Sequence, residues 1–378
     1  MKKQIIILGA TGSIGINTIE CIRAFKEKFT IVGLSAHTNE HMLLEFAREF
    51  GVKQLALTGS THSKSGKVGY FGAEGVLELL EQTEADIVVN GITGASGLLP
   101  SVRTLETGKD LALANKETAV IAGDLIFELA LKMNRTILPV DSEHAAIFQL
   151  TRFRPEAHIK KVVLTSSGGP FRNADYKTLL KATPEQALQH PTWSMGAKIS
   201  IDSATLANKG LEVLETKALF DTDYDSIEVL IHPQSYVHSL VKTHDGSLYA
   251  QISEPDMKVP IINALVYPDI AMKAFTDLDL VDKTLTFSKP DVGRFPMLQY
   301  AYDVLKLRGA YPIAYNASNE IAVEHFLKKN IGFMDIPRVV NNILGLDWTH
   351  TPTDFEQVLT ADREVRQKTE EIIENRWY

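Results

Sequence analysis

The chain has 378 residues, 44% hydrophobic and 23% charged, so it is long enough for two or three globular domains and does not have the composition of a disordered, collagenous or membrane-embedded chain. Lys and Arg number 39 against 47 Asp and Glu, a net charge of −8, which argues against general nucleic-acid binding and leaves room only for a local basic pocket that takes a small phosphate. The single cysteine, Cys21, excludes an intrachain disulfide, sits in a helical pattern as a small apolar residue, and suits a reducing, cytoplasmic location.

Met1–Gln4 leads directly into a short apolar run, and no stretch of about 18 apolar residues follows, so neither a signal peptide nor a membrane span is expected. Residues 4–8 (QIIIL) read as a strand buried on both faces. The glycine turn GATGSIG (9–15) follows, then a helical pattern through Ile14, Thr18, Ile19, Ile22 and Phe25. Strands are predicted at 29–36, 54–59, 85–92, 110–115 and 136–140, with helices at 40–50, 73–83, 98–108 and 117–133 between them. This alternation predicts an α/β fold with an N-terminal doubly wound, Rossmann-like parallel sheet over 1–145.

Beyond it the pattern changes. KVVLT (161–165) reads as a strand ending in SSGGP, and 226–231, 235–242 and 247–252 alternate as half-buried antiparallel strands do, with HDG (244–246) as a turn. A central α+β catalytic domain with a mixed sheet is therefore expected over 146–266. Residues 267–292, with Pro268 and Pro290, read as a connecting segment. Helical patterns at 296–307, 316–329, 335–345 and 362–376 predict a C-terminal helical domain over 293–378.

Five motifs carry chemistry. In GATGSIG a strand feeds a tight turn into a helix, which turns backbone N–H groups towards a pyrophosphate; the alternative is an ordinary βα turn. After the second strand, Ser35, Ala36, His37, Thr38 and Asn39 stand where an acid would bind the ribose of NAD, which leans towards NADP. No Arg or Lys is present there, so Thr38, Asn39 and His37 are left to act by hydrogen bonding. In PVDSEH (139–144), Asp141 and Glu143 share one face if the chain is extended, and two such carboxylates call for a hard cation, Mg²⁺ or Mn²⁺. The alternative is a solvated turn with a helix cap at Asp141 or Ser142. HPTWSMGAKISIDSATLANKGLE (190–212) is dense in phosphate donors, Ser203, Asn208 and Lys209; Glu212 lies on the same helix side as Lys209, and Trp193 and Met195 lie in a glycine-bearing stretch suited to a lid. TSSGGP (165–170) and ANKE (114–117) read either as ligand-facing turns or as plain structural ones.

Together and in this order, GATGSIG, LLPSV (98–102), LANKE (113–117), PVDSEH, SSGGPFR (166–172), the 190–212 block, HPQSYVHSLV (232–241), PDM (255–257) and NASNE (316–320) resemble the 1-deoxy-D-xylulose 5-phosphate reductoisomerase family over essentially the whole chain. The resemblance implies NADPH- and divalent-metal-dependent conversion of a deoxyketose phosphate to 2-C-methyl-D-erythritol 4-phosphate, in a homodimer. It implies that Asp141, Glu143 and Glu212 bind the metal, that Ser142 and Glu143 touch substrate hydroxyls beside Lys116, and that Ser167, Ser203, Asn208 and Lys209 hold the phosphate with His190 close by. Thr11, Gly12, Ser13, Ile14, Asn39, Asn115, Glu117 and Gly196 would contact the cofactor, and Trp193 and Met195 belong to a closing flap. The chain departs from the family at His37-Thr38-Asn39, where Gly-Lys-Asn is common, and residues 51–80 are shorter than in many relatives. A semialdehyde or homoserine-type dehydrogenase and a dinucleotide-sensing regulator are the rival readings; neither needs three carboxylates.

Overall fold

The computed structural model describes residues 2–152, 158–271 and 275–378. Part of the predicted connecting segment, 272–274, lies outside the described residues. The chain divides into two compact units, each discontinuous in sequence. The first comprises Met1–Thr118, Ile126–Ala145 and Asp256–Thr276; the second comprises Ala119–Leu125, Ala146–Pro255 and Asp277–Tyr378.

The strands in chain order are β1 (Lys3–Leu8), β2 (Phe29–Ala36), β3 (Gln54–Leu57), β4 (Tyr70–Phe71), β5 (Ile87–Asn90), β6 (Asp110–Leu113), β7 (Ile137–Pro139), β8 (Ile159–Ser166), β9 (Ile227–Ile231), β10 (Val237–Thr243) and β11 (Leu248–Ile252). The helices are α1 (Ser13–Ala24), α2 (Glu40–Phe50), α3 (Gly72–Gln82), α4 (Leu98–Glu106), α5 (Lys116–Lys132), α6 (Ser142–Thr151), α7 (Tyr176–Leu179), α8 (Pro184–Ala187), α9 (Ala197–Thr205), α10 (Ala207–Phe220), α11 (Lys258–Val266), α12 (Met297–Leu307), α13 (Tyr311–Leu327), α14 (Asp335–Leu344) and α15 (Phe355–Glu374).

In the first unit the sheet runs β4-β3-β2-β1-β5-β6-β7, every pair parallel. Ile5, Ile6, Ile7 and Leu8 are all fully buried, as a central strand covered on both faces requires. Each such side chain contributes roughly 1.5–3 kcal/mol on burial, so β1 anchors the unit. Chain order reverses between β1 and β5, and a doubly wound sheet opens its ligand crevice at such a point.

The second sheet has the order β11-β10-β8-β9. It is mixed, as expected, but the expectation that 226–231 is antiparallel fails: β9 pairs with β8 in parallel, while β10 pairs antiparallel with both β8 and β11. Alternating burial reports one covered face and says nothing of strand direction. Behind the sheet, Leu164, Leu179, Ile201, Leu298, Phe326 and Phe333 belong to one buried apolar core.

Two C-terminal helices start earlier than their apolar patterns. α13 begins at Tyr311 rather than 316 because Pro312 stands at its start. α15 begins at Phe355 rather than 362, where the Asp354 carboxylate accepts from the Gln357 N–H at 2.8 Å. The helix α6 went unassigned in the sequence, and it changes the geometry of the acidic motif described next.

Candidate active site

In the first unit, Gly9 follows β1 at φ +75°, a conformation glycine adopts without strain, and a Cβ there would stand 2.9 Å from the Gly91 carbonyl oxygen. That contact closes the turn against the end of β5, whose neighbour Gly91 donates its N–H to Leu8 O at 3.0 Å. Gly15 packs so closely on Ala10 that a side chain would collide with backbone. Gly12 caps α1, with Thr11 before it and Ser13 and Ile14 opening the helix, whose first-turn N–H groups have no partners within the helix. These features fit a pyrophosphate.

Ser35 at the end of β2 has a part not foreseen: its Oγ accepts from Gly9 N at 3.1 Å, and its carbonyl accepts from Ala10 N at 2.7 Å. The first residue of the stretch where an acid would stand therefore braces the glycine turn. His37, Thr38 and Asn39 follow on the surface, with Asn39 capping α2 through Met42 N and His37 Nδ1 3.0 Å from Thr58 Oγ1.

Asn115 is 1% exposed and fully engaged. Its Nδ2 donates to Ile92 O, Gly94 O and Glu117 Oε2 at 2.7–3.0 Å, and its Oδ1 caps α5 by accepting from Thr118 N at 3.0 Å. Gly97 leaves the space this amide fills. Next in sequence, Lys116, 6% exposed, makes an ion pair with Asp141.

Asp141 precedes α6, and Ser142 and Glu143 form its first turn. The expectation of an extended Asp141–Glu143 pair on one strand face is thus corrected: the backbone is already helical at Ser142. The two residues still offer carboxylate oxygens within 4.8 Å of each other, and Ser142 Oγ donates to Glu143. Two carboxylates so close repel unless a cation lies near, and Lys116 supplies only one positive charge. The donor set is all oxygen, which fits a hard divalent ion.

In the second unit, Ser167 follows β8 and opens a Gly168–Gly169 turn at φ +81° and +69°. Gly169 lies against α9, where a Cβ would stand 2.6 Å from the Ser203 carbonyl oxygen. His190 Nε2 is 2.9 Å from Ser167 Oγ. His190 Nδ1 accepts from the N–H groups of Thr192 and Trp193 at 3.2 and 2.9 Å, so Nε2 carries the proton and donates to the serine. Burial, aided by the Arg172 charge, pushes the imidazole pKa down to about 4, which keeps the ring neutral. Arg172 is a contributor that sequence reasoning missed, although its motif was singled out.

On α10, Asn208 Nδ2 donates to Glu212 Oε1 at 2.5 Å, and Lys209, 2% exposed, pairs with the other oxygen of the fully buried Glu212. The predicted same-side placement of Lys209 and Glu212 is what the helix gives. Gly196 caps α9 at the end of the 191–196 stretch, where nothing crowds its Cβ position, and the Trp193 ring lies 6.2 Å from that of His238. His238, itself 3.0 Å from Ser253 Oγ, was also missed; its signal was the second histidine of HPQSYVHSLV.

A parallel sheet with a glycine turn at its crevice, joined in one chain to paired carboxylates and a serine–lysine cluster, defines the class: a nucleotide-dependent oxidoreductase. Family models for 1-deoxy-D-xylulose 5-phosphate reductoisomerase match residues 5–123, its C-terminal domain 137–220, and a further DXP reductoisomerase C-terminal domain 252–368. The chain belongs to the 1-deoxy-D-xylulose 5-phosphate reductoisomerase family. It is 45% identical over 376 residues to the reductoisomerase of Treponema pallidum (99% of this chain, 98% of the relative) and 45% identical to that of Chlorobaculum tepidum (98% and 100%). Among solved structures, a DOX-P reductoisomerase in complex with NADPH, fosmidomycin and magnesium superposes with a TM-score of 0.92 at 38% identity (98% of each chain). The Zymomonas mobilis enzyme in complex with NADPH gives 0.91 at 36% (99% and 100%).

Proposed function

We propose that the chain converts 1-deoxy-D-xylulose 5-phosphate to 2-C-methyl-D-erythritol 4-phosphate, with NADPH and a divalent metal, through the residues that follow. The observation carrying the reading is the Asp141–Glu143 carboxylate pair beside buried Lys116, at the C-terminal end of a parallel sheet in a chain of this family. Asp141 and Glu143, with Glu212 as third ligand, hold Mg²⁺, or Mn²⁺ as the alternative ion. The bound ion supplies Lewis-acid polarisation of the ketone oxygen and a neighbouring hydroxyl. Thr11, Gly12, Ser13, Ile14, Asn39, Asn115, Glu117 and Gly196 form the cofactor contacts, and NADPH supplies the hydride that reduces the rearranged aldehyde.

The protein's own residues orient and confine the reaction. Ser142 and Glu143 meet the substrate hydroxyls, and Lys116 moves a proton at a substrate oxygen. Ser167, Ser203, Asn208 and Lys209 hold the phosphate, with neutral His190 close by and donating to Ser167, so the fragments formed when the carbon–carbon bond breaks recombine before escape. The Trp193–Met195 stretch closes over them and excludes water. The parts 1–145, 146–266, 267–292 and 293–378 serve as cofactor, catalytic, connecting and helical segments, except that Ala119–Leu125 packs in the second unit and Asp256–Thr276 in the first.

A homodimer in the cytoplasm completes the proposal. Edge strand β11 leaves Leu248, Tyr249 and Ile252 exposed, an apolar edge that a second copy would cover, and the one cysteine is buried. Among the described residues no helix is long and apolar enough to cross a membrane. Sedimentation of the purified chain, and of a Leu248→Lys, Tyr249→Lys double variant, tests the dimer: the first should run as a dimer and the second as a monomer.

The activity test is incubation of purified protein with 1-deoxy-D-xylulose 5-phosphate, NADPH and Mg²⁺, with the branched polyol phosphate identified by NMR. Asp141→Asn and Glu212→Gln should each lower kcat by about 10²-fold or more. Full turnover after removal of metal by EDTA would sink the metal assignment.

A further inference from the structure

Helices α9 and α10 meet at one residue, Leu206, which is buried at φ +62°, a left-handed conformation that is costly for leucine. Ser203 lies before this elbow, and Asn208 and Lys209 lie after it. The spacing of the proposed phosphate donors is therefore set by the elbow's angle, and something must hold that angle against the strain.

A third helix touches both arms. Tyr315 and Asn319 stand one turn apart on α13 and share a face. Asn319 Nδ2 donates to Asp202 Oδ1 on α9 at 2.8 Å. The Tyr315 hydroxyl lies 3.4 Å from the carbonyl oxygen of Ala207, which opens α10, and 3.1 Å from that of Met297. Gly210, one turn along α10, gives that hydroxyl its room. The second carboxylate oxygen of Asp202 pairs with Lys198 Nζ at 2.8 Å.

Asp202, Tyr315 and Asn319 are at most 1% exposed. A well-packed apolar contact would hold helices together without the desolvation cost of a buried carboxylate, so this polar arrangement asks for another reason. An unpaired Asp202 would also repel a phosphate at the adjacent Ser203, and Lys198 cancels that charge.

We propose that Asn319, Tyr315 and Asp202, with Lys198, are positioning residues: a buried polar clamp that fixes the α9–α10 elbow at the angle at which Ser203, Asn208 and Lys209 grip a phosphate dianion. The proposal rests on the phosphate assignment above, and its test keeps the two apart. Asn319→Leu and Tyr315→Phe remove the hydrogen bonds with little change of shape. With the full chain, KM and kcat for the phosphorylated ketose, inhibition by inorganic phosphate, and NADPH affinity by fluorescence titration are measured for each. KM and the phosphate inhibition constant should rise about tenfold, with NADPH affinity unchanged and kcat within about twofold.

Asn319→Gln, which keeps an amide donor on α13, should stay nearer to wild type than Asn319→Leu, and Asn319→Ser carries the test, with KM raised in the same direction, if Asn319→Leu does not fold. Lys209→Met reports on the grip itself. If Lys209→Met abolishes phosphate inhibition while Asn319→Leu and Tyr315→Phe keep wild-type KM, the clamp is overturned and the grip stands. If Lys209→Met also leaves phosphate inhibition intact, the phosphate assignment falls and the clamp with it. Parallel loss of NADPH affinity in the clamp variants, the mark of general destabilisation, overturns the clamp as well.

Discussion

At the scale of single residues, His190 shows how neighbours decide a proton's place. Two backbone N–H groups occupy Nδ1, so the other nitrogen must donate, and Ser167 Oγ receives it. A histidine in the unfolded chain ionises near 6.5 and this one at about 4. Between these values the unfolded chain binds more protons, so stability falls as pH drops through that window and is complete above 6.5. Titration of the imidazole by NMR should show its midpoint well below 5, with no ionisation between pH 6 and 8. A midpoint near 6.5 would contradict the lowering attributed to burial and Arg172. The sequence exposed His190 as part of a dense donor block but not its protonation, because the groups that set it come from the backbone two and three residues on and from Arg172.

At the scale of elements, the glycine turn and the Asn115 cap are the two devices on which the first unit's crevice depends. Gly15 was legible because the spacing GxxGxxG follows an apolar strand, and its contact with Ala10 gives the reason: no side chain fits between α1 and the turn. Gly15→Ala should cost about 1–3 kcal/mol by overpacking and weaken NADPH binding in a fluorescence titration. Asn115 was legible as a cofactor contact or as part of a plain helix start, but not as an internal brace. Removing it strips a cap and leaves the half-buried carbonyl of Ile92 and the buried one of Gly94 without their amide donor. Asn115→Ala should lower stability by about 2–4 kcal/mol in chemical denaturation, more than a surface cap would. The Asp141–Glu143 pair shows a right pairing reached for the wrong reason. The period of two belonged to a strand that had already ended, and of the two cap positions weighed as the alternative, Asp141 and Ser142, it is Asp141 that stands before α6.

At the scale of the whole molecule, each compact unit is assembled from separate stretches of chain, and Asp256–Thr276 returns to the first unit after more than a hundred residues spent in the second. Lys3 Nζ marks that return, donating to the carbonyls of Leu265 and Tyr267 at 3.1 and 3.0 Å. Binding of NADPH to the first unit should therefore stabilise a discontinuous body. At about 100 times its Kd the cofactor should add roughly 2.7 kcal/mol, read as a rise in melting temperature, with new hydrogen-exchange protection in both 3–36 and 258–266. Protection confined to the N-terminal stretch would argue that the two are not one cooperative unit.

What the amino-acid order settled unaided was local: the strand and helix periods of the first 140 residues, the glycine turn, and the residue types able to bind a phosphate and a hard cation. Those are short-range signals, carried by side-chain alternation and by backbone conformations that few residues adopt. Long-range pairing was decided only when the chain folded. It set the direction of β9 beside β8, the return of α11 to the first unit, the use of Ser35 and Asn115 as internal braces, and the reach of Asn319 to an aspartate 117 positions earlier. A hydrogen bond between distant segments depends on where both are brought in space, and no window of sequence around either partner contains that information.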